Sequence, residues 1–269
     1  MRAAVLLAAG AMALAAARPA SSSPRVYSLD QCADQYVLAL SRPSDIVGLS
    51  RRAVDADSYL RRMAVGRRRK RATSEAVLAA NPQVVVRYWG GDARLTADLE
   101  ARGVKVVAID DATDFAGVRV NVRRVATALG QTQAGERLIA RMDQRLAASV
   151  GAWRGAPALY LTSGGYTAGR DTLIDAMMSG AGVKNLAGGQ GFHEVSLERL
   201  VFEPPWAIVQ GFFDASYLAY QRWNLGHQPL VRRLARGRTI VSLPASILGC
   251  PAWFAAEGTA QIARARLRD

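Results

Sequence analysis

The chain has 269 residues, half of them hydrophobic, with a formal net charge of +13 and only two cysteines. That length and apolar content suit one large or two modest domains, each able to bury a core. A balance this basic suggests nucleic acid as a partner, but an export signal and the lack of any recognition-helix or RNA-binding motif exclude it.

The first seventeen residues, MRAAVLLAAGAMALAAA, carry Arg2, an apolar run of signal-peptide length, and small residues suited to a cut after Ala17 or Ala20. The apolar run is too short for a comfortable membrane span, and no second one follows. No cysteine lies at the cut, so the expected product is a free periplasmic protein rather than a lipoprotein. Residues 1–20 are therefore set apart as a signal peptide.

RVYSL, from Arg25 to Leu29, alternates like a strand, and Ala33, Tyr36, Val37 and Leu40 recur at helical spacing. Cys32 and Asp34 are thus expected at a strand-to-helix turn. The strand DIVGLS follows, placing Arg51 and Arg52 at its carboxyl end. Nine cations fall between Arg51 and Arg71; the RRRKR block, Arg67 to Arg71, is expected on the outer surface, where salt screens it. A helix from Ser74 to Ala80, the strand PQVVVRYW, a helix from Leu95 to Ala101 and the strand VKVVAID complete a first lobe over residues 21–130. Short apolar strands alternating with helices imply a parallel sheet covered on both faces.

TDFAGVRVNVRRVATALG then places Phe115, Val118, Val122, Val125 and Leu129 on one stripe. Residues 131–153 read as a linking helix of about 22 residues, roughly 33 Å long. The strand-helix pattern restarts in a second lobe, 154–269, with PALYLTSGG, a helix from Thr172 to Ser179, PWAIVQGFF, a helix before Arg233, RTIVSL and a final helix from Trp253. The expected fold is α/β: two parallel-sheet lobes joined by a long rigid helix, with a ligand cleft between them.

In open parallel sheets, ligands bind outside the carboxyl ends of the strands. The loops there carry Gln31 to Asp34, Ser50 to Arg52 and Tyr88 to Gly91 in the first lobe. The second offers Ser163 to Tyr166, Gly211 to Asp214, and Gly249, Cys250 and Trp253. Aromatics, glycines and arginines dominate, which suits a flat or bulky, anionic ligand. Gly90 and Gly91 are read as allowing a ligand close to the backbone. Arg51 and Arg52 are the cations expected to touch the ligand. Cys32 and Cys250 share this cleft either as a disulfide, which an oxidising compartment favours, or as two thiols facing the ligand.

The ordered set RVYSLDQCAD, NPQVVVRYWGG, GVKVVAID, GGYTAGRDTLIDAMMSGAGVKNL and VSLERLVFEPPWAIV resembles the substrate-binding proteins of ABC importers for iron-siderophores, haem and cobalamin, over about residues 25 to 265. The resemblance implies an aromatic wall of Tyr88 and Trp89 facing Tyr166, with Phe212 and Trp253 also on cleft loops. It implies a metal chelate or corrinoid as ligand and an ABC importer permease as partner, docked through Glu198 and, in the first lobe, Asp92 or Asp98. It implies a monomer, without a cofactor or metal of its own. His193 and His227 lie in no metal-ligand spacing and read as structural. Two other readings are an exported hydrolase-like enzyme with Ser163, His193 and Asp214, although TSGGY lacks the G-x-S-x-G elbow, and an envelope polyanion binder using the arginine run.

Overall fold

A computed structural model describes residues 23–212, 233 and 236–265. The signal segment, Phe213, Asp214, His227 and most of the helix expected before Arg233 lie outside the described residues. The first lobe contains β1 (Val26–Ser28), α1 (Gln31–Leu40), β2 (Ile46–Ser50), α2 (Arg61–Ala64), β3 (Arg69–Lys70), α3 (Ser74–Ala79), β4 (Val84–Arg87), α4 (Ala93–Ala101) and β5 (Lys105–Ala108). Its five strands are parallel, in the order β3-β2-β1-β4-β5. The order reverses between β1 and β4, so their carboxyl ends open onto a crevice at the topological switch point.

Period-2 alternation sorts side chains between the two faces of this sheet. Val26, Val84 and Val86 pack with α1 in one cluster; Tyr27 and Val85 pack with Val77, Leu95 and Leu99 in the other. Side-chain oxygens at the amino ends of the helices fix where they begin: Asp30 caps α1, Thr73 caps α3 and Asp92 caps α4. Cys32 therefore lies in the first turn of α1 rather than in the turn before it. Arg68 to Arg71 are exposed, as expected for an outer surface, while Arg67 is half-buried; Arg69 and Lys70 form the edge strand β3, where charge discourages further strand pairing.

Two helices, α5 (Phe115–Ala128) and α6 (Thr132–Ala147), lead out of this lobe. Gly130, at φ 65°, makes the corner between them. The linking helix is shorter than 131–153: its sixteen residues span about 24 Å. It stops because Ser149 Oγ donates to Arg145 O and Gly151 adopts a left-handed φ of 69°.

The second lobe contains β6 (Pro157–Thr162), β7 (Tyr166–Ala168), α7 (Leu173–Gly180), β8 (Lys184–Asn185), β9 (Phe192–Glu194), α8 (Leu197–Phe202), β10 (Ile208–Gly211), β11 (Thr239–Leu243), α9 (Ala245–Leu248) and α10 (Ala255–Arg264). Its sheet, again parallel, runs β11-β10-β6-β8, and β7 and β9 form a separate antiparallel pair.

The last segment crosses back. Cys250, Ala252, Trp253, Phe254 and Ala256 are buried in the first lobe's core, whereas Ala255 and Ile262 are buried in the second lobe's. Tyr36 Oη donates to Pro251 O at 2.6 Å, and its ring meets Trp253 edge-on at 5.3 Å. Tyr59 stacks on Phe254 at 4.2 Å and its hydroxyl donates to Glu257, which also pairs with Arg145 of α6. Trp253 is thus a core residue, not a cleft residue. Its neighbours are apolar because this segment closes a hydrophobic layer that α1 and α5 leave open.

Candidate functional site

The first lobe's crevice is organised by Asp30. One carboxylate oxygen caps α1 by accepting from Ala33 N at 2.9 Å; the other accepts from Tyr88 N at 2.6 Å and Gly90 N at 2.9 Å. The carboxylate at the end of β1 therefore holds the loop at the end of β4 across the switch point. Gly90 is buried, and a Cβ there would lie 2.7 Å from Leu29 O. Its lack of a side chain lets the loop pack on the β1 backbone, not a ligand approach the loop.

Four residues further on, Asp34 is fully buried and accepts from Ser28 Oγ, Ser50 N and Ser50 Oγ, joining the carboxyl ends of β1 and β2. Burial pushes its carboxyl up to about 6, against the pull of these hydrogen bonds.

A cavity of about 230 Å³ lies where the lobes meet. Tyr88, Asp111, Ala112 and Thr113 form its first-lobe wall; Asp171 to Ile174, Met177 and Phe192 form the second; Ile247 to Pro251 close it. Tyr88 Oη donates to Asp111 Oδ1 at 3.1 Å, and burial together with this carboxylate pushes the phenol up to about 12. Tyr88 therefore stays protonated near neutrality. On the other wall, Thr172 caps α7, and Asp171 stands in a left-handed backbone at φ 60°, its Oδ2 accepting from Gln190 at 2.8 Å. That conformation is uncommon outside glycine and is tolerated best by Asp and Asn.

Cys32 and Cys250 are disulfide-bonded, with Cα atoms 5.4 Å apart, so of the two alternatives the bridge is the one formed. It ties α1 to the wall segment that carries Cys250, while Cys32 itself is buried behind the wall. Of the other expected ligand residues, Tyr88 lines the cavity. Trp89, 55 % exposed, and Tyr166, 44 % exposed on β7, are not among the residues that line it. Tyr166 and Phe192 lie on the same face of the β7–β9 pair, because Tyr166 is registered with Glu194 and Ala168 with Phe192.

Three expectations do not hold. Arg51 and Arg52 occupy a turn after β2, one strand removed from the switch point, and neither lines the cavity; Arg52 pairs with Asp57 at 2.8 Å and Asp55 at 3.2 Å. Phe212, half-buried at the end of β10 with φ 59°, is not part of the wall either. Trp253 belongs to the core. Asp92 and Glu198 are both exposed, and Asp92 also accepts from Leu95 N as the α4 cap.

Asp111, Asp171 and Phe192 are functional candidates that sequence reasoning missed. Asp111 follows β5 at its carboxyl end, so the same loop rule that found Tyr88 reaches it. Among the described residues no group of three His, Cys, Asp or Glu side chains is placed to hold a metal, and no helix is long and apolar enough to cross a membrane.

Two parallel-sheet lobes, a short helical connection and a cavity walled by both lobes define a bilobal ligand-binding protein. The chain belongs to the periplasmic binding protein family, which it matches over residues 26–210. It is 27 % identical over 201 residues to a cobalamin-binding protein of Halobacterium salinarum; the match covers 71 % of this chain, which spans about half (54 %) of that relative's length. The fold is similar to that of the periplasmic heme-binding protein RhuT from Roseiflexus sp. RS-1 (24 % identity, 91 % and 98 % of the two chains, TM-score 0.68). It is also similar to that of the periplasmic vitamin B12-binding protein BtuF of Vibrio cholerae (15 % identity, 90 % and 96 %, TM-score 0.61).

Proposed function

We propose that this protein captures a metal chelate, a corrinoid or a ferric siderophore, in the periplasm and delivers it to an ABC importer permease. The observation that carries this reading is the cavity at the lobe junction, walled by Tyr88 from one side and Phe192 from the other; Trp89, next to Tyr88 in the chain, and Tyr166, on Phe192's face of the β7–β9 pair, are exposed. Its volume is below the roughly 300–1,000 Å³ of an ordinary small-molecule pocket, so a bulky ligand would seat across its mouth on the exposed aromatics. A ligand whose metal is already wrapped in an organic shell needs only such contacts from the protein. Exposed Glu198 and Asp92, one on each lobe, are the docking carboxylates of this reading. His193 Nε2 lies 3.1 Å from Ala187 O, which supports a structural role rather than that of a general base for Ser163.

Tryptophan fluorescence and thermal shift of the mature protein against a panel of metal chelates test the proposal, because a ligand that binds only the native state raises its apparent stability. A saturable response to one chelate is expected. Tyr166→Ala and Phe192→Ala should each weaken it by on the order of 1–3 kcal/mol if these rings are central contacts. Glu198→Arg should leave affinity unchanged and abolish uptake through the permease. A protein that responds to none of the panel would remove the reading.

A further inference from the structure

The charge of the cavity is opposite to that of the chain. The sequence carries a formal +13, yet the residues that line the cavity include two aspartates and, among the described residues, no Lys or Arg. Asp111 comes from the first lobe and Asp171 from the second. Each uses one carboxylate oxygen on a neighbour, Asp111 Oδ1 for Tyr88 and Asp171 Oδ2 for Gln190. The second oxygen of each accepts no protein hydrogen bond among the described residues. The cations nearest in sequence are held to backbone. Arg87 donates to Gly90 O at 2.8 Å and Gly91 O at 3.1 Å, and Arg170 to Gly189 O at 3.4 Å.

We infer that the cleft selects a chelate whose rim is neutral or cationic and donates hydrogen bonds, and that Asp111 and Asp171 reject chelates bearing carboxylates or other anionic groups. The inference rests on the chelate-capture reading and narrows its ligand. When a ligand displaces water from the mouth, each spare carboxylate oxygen has to be met by a donor or pay its desolvation. An amide or ammonium group meets it. A ligand carboxylate brings like charge to a lining that, among the described residues, holds no lysine or arginine, and repulsion across a partly dewetted cleft exceeds that in bulk water. The backbone of Asp171 supports the assignment. A left-handed aspartate tethered by Gln190 is held at the mouth in a conformation that most side chains avoid. The unionised phenol of Tyr88, already donating to Asp111, likewise adds no anion and no cation. The shared chemistry fits an amide-rimmed corrinoid and a cationic ferric hydroxamate equally.

Titration calorimetry of the full mature protein with four probes distinguishes the outcomes: cyanocobalamin, with an amide rim; ferrioxamine B, a cationic hydroxamate; haemin, with two propionates; and ferric enterobactin, a trianion. One of the first two should bind at least tenfold more tightly than either of the last two, and which one it is identifies the source. Asp111→Asn with Asp171→Asn keeps size and one acceptor oxygen at each position while removing both charges, and should narrow that preference by about tenfold or more. Tighter binding of haemin or ferric enterobactin by the wild-type protein overturns the inference and leaves chelate capture standing. An unchanged preference in the folded double variant also overturns it. Binding of none of the four overturns both.

Discussion

Asp30 and Asp34 lie four residues apart in SLDQCAD and do opposite things with the same functional group. Asp30 spends its two oxygens on three backbone N–H groups, one in α1 and two in the cleft loop. Asp30→Ala should cost about 2–4 kcal/mol, from a lost helix cap and buried amides left unpaired. Chemical denaturation gives that number, and ligand affinity should fall with it as the Tyr88 loop loosens. Asp34 is held by serines in a site that disfavours its charge, with its pKa raised from 3.8 to about 6. The folded form therefore binds the proton more tightly than the unfolded one. Its contribution to stability is full below pH 4 and is lost as pH rises through about 6, on the order of 3 kcal/mol. Asp34→Asn should flatten this part of a stability-against-pH curve, and a mutant curve that parallels the wild type would contradict the assignment. The presence of the motif was plain from the sequence, but its meaning was not. Which carboxylate faces amides and which faces hydroxyls depends on the strand order, and a local pattern carries no information about strand order.

At the scale of elements, hydrophobic periodicity located the longer strands of the two sheets, since a doubly covered parallel strand has to be apolar throughout, but not the two-residue strands β3 and β8 or the short helices α2, α8 and α9. What it missed depended on backbone conformation or on distant partners. α6 ends before Gly151 because of a positive φ and a serine bonded back to the helix. The β7–β9 pair joins segments 26 residues apart around glycine-rich chain, so no local pattern marks Phe192. Arg51 and Arg52 were rightly placed at a strand end, but on the wrong strand for the cleft. The Gly90 loop provides an element-level test. Gly90→Ala drives a methyl group into Leu29 O, and the expected loss is on the order of 1–3 kcal/mol from overpacking. Removing the Cys32–Cys250 bridge by paired serine substitution should destabilise the fold by about 2–4 kcal/mol, because the bridge closes a loop of 218 residues in the unfolded chain. Thermal melts with and without reductant measure it, and identical melts would contradict the bridge.

For the whole molecule, the two lobes share more than a link, because the segment from Cys250 to Ala256 contributes to both cores. Unfolding should therefore be a single transition, with calorimetric and van't Hoff enthalpies in agreement. Two resolved transitions would mean that the shared segment does not couple the lobes. That same segment orders events in time. Tyr36 finds its acceptor 215 residues later, and Tyr59 its partner 198 residues later. Contacts this distant in sequence carry a large closure entropy before they return any stabilisation, and so make folding slow. A chain that emerges amino end first would ordinarily complete its first domain while the second is still being delivered. Here the earlier lobe has to wait with its apolar layer open until residues 250–256 arrive. A truncation beyond Gly249 would accordingly unmake the part of the protein that was synthesised first.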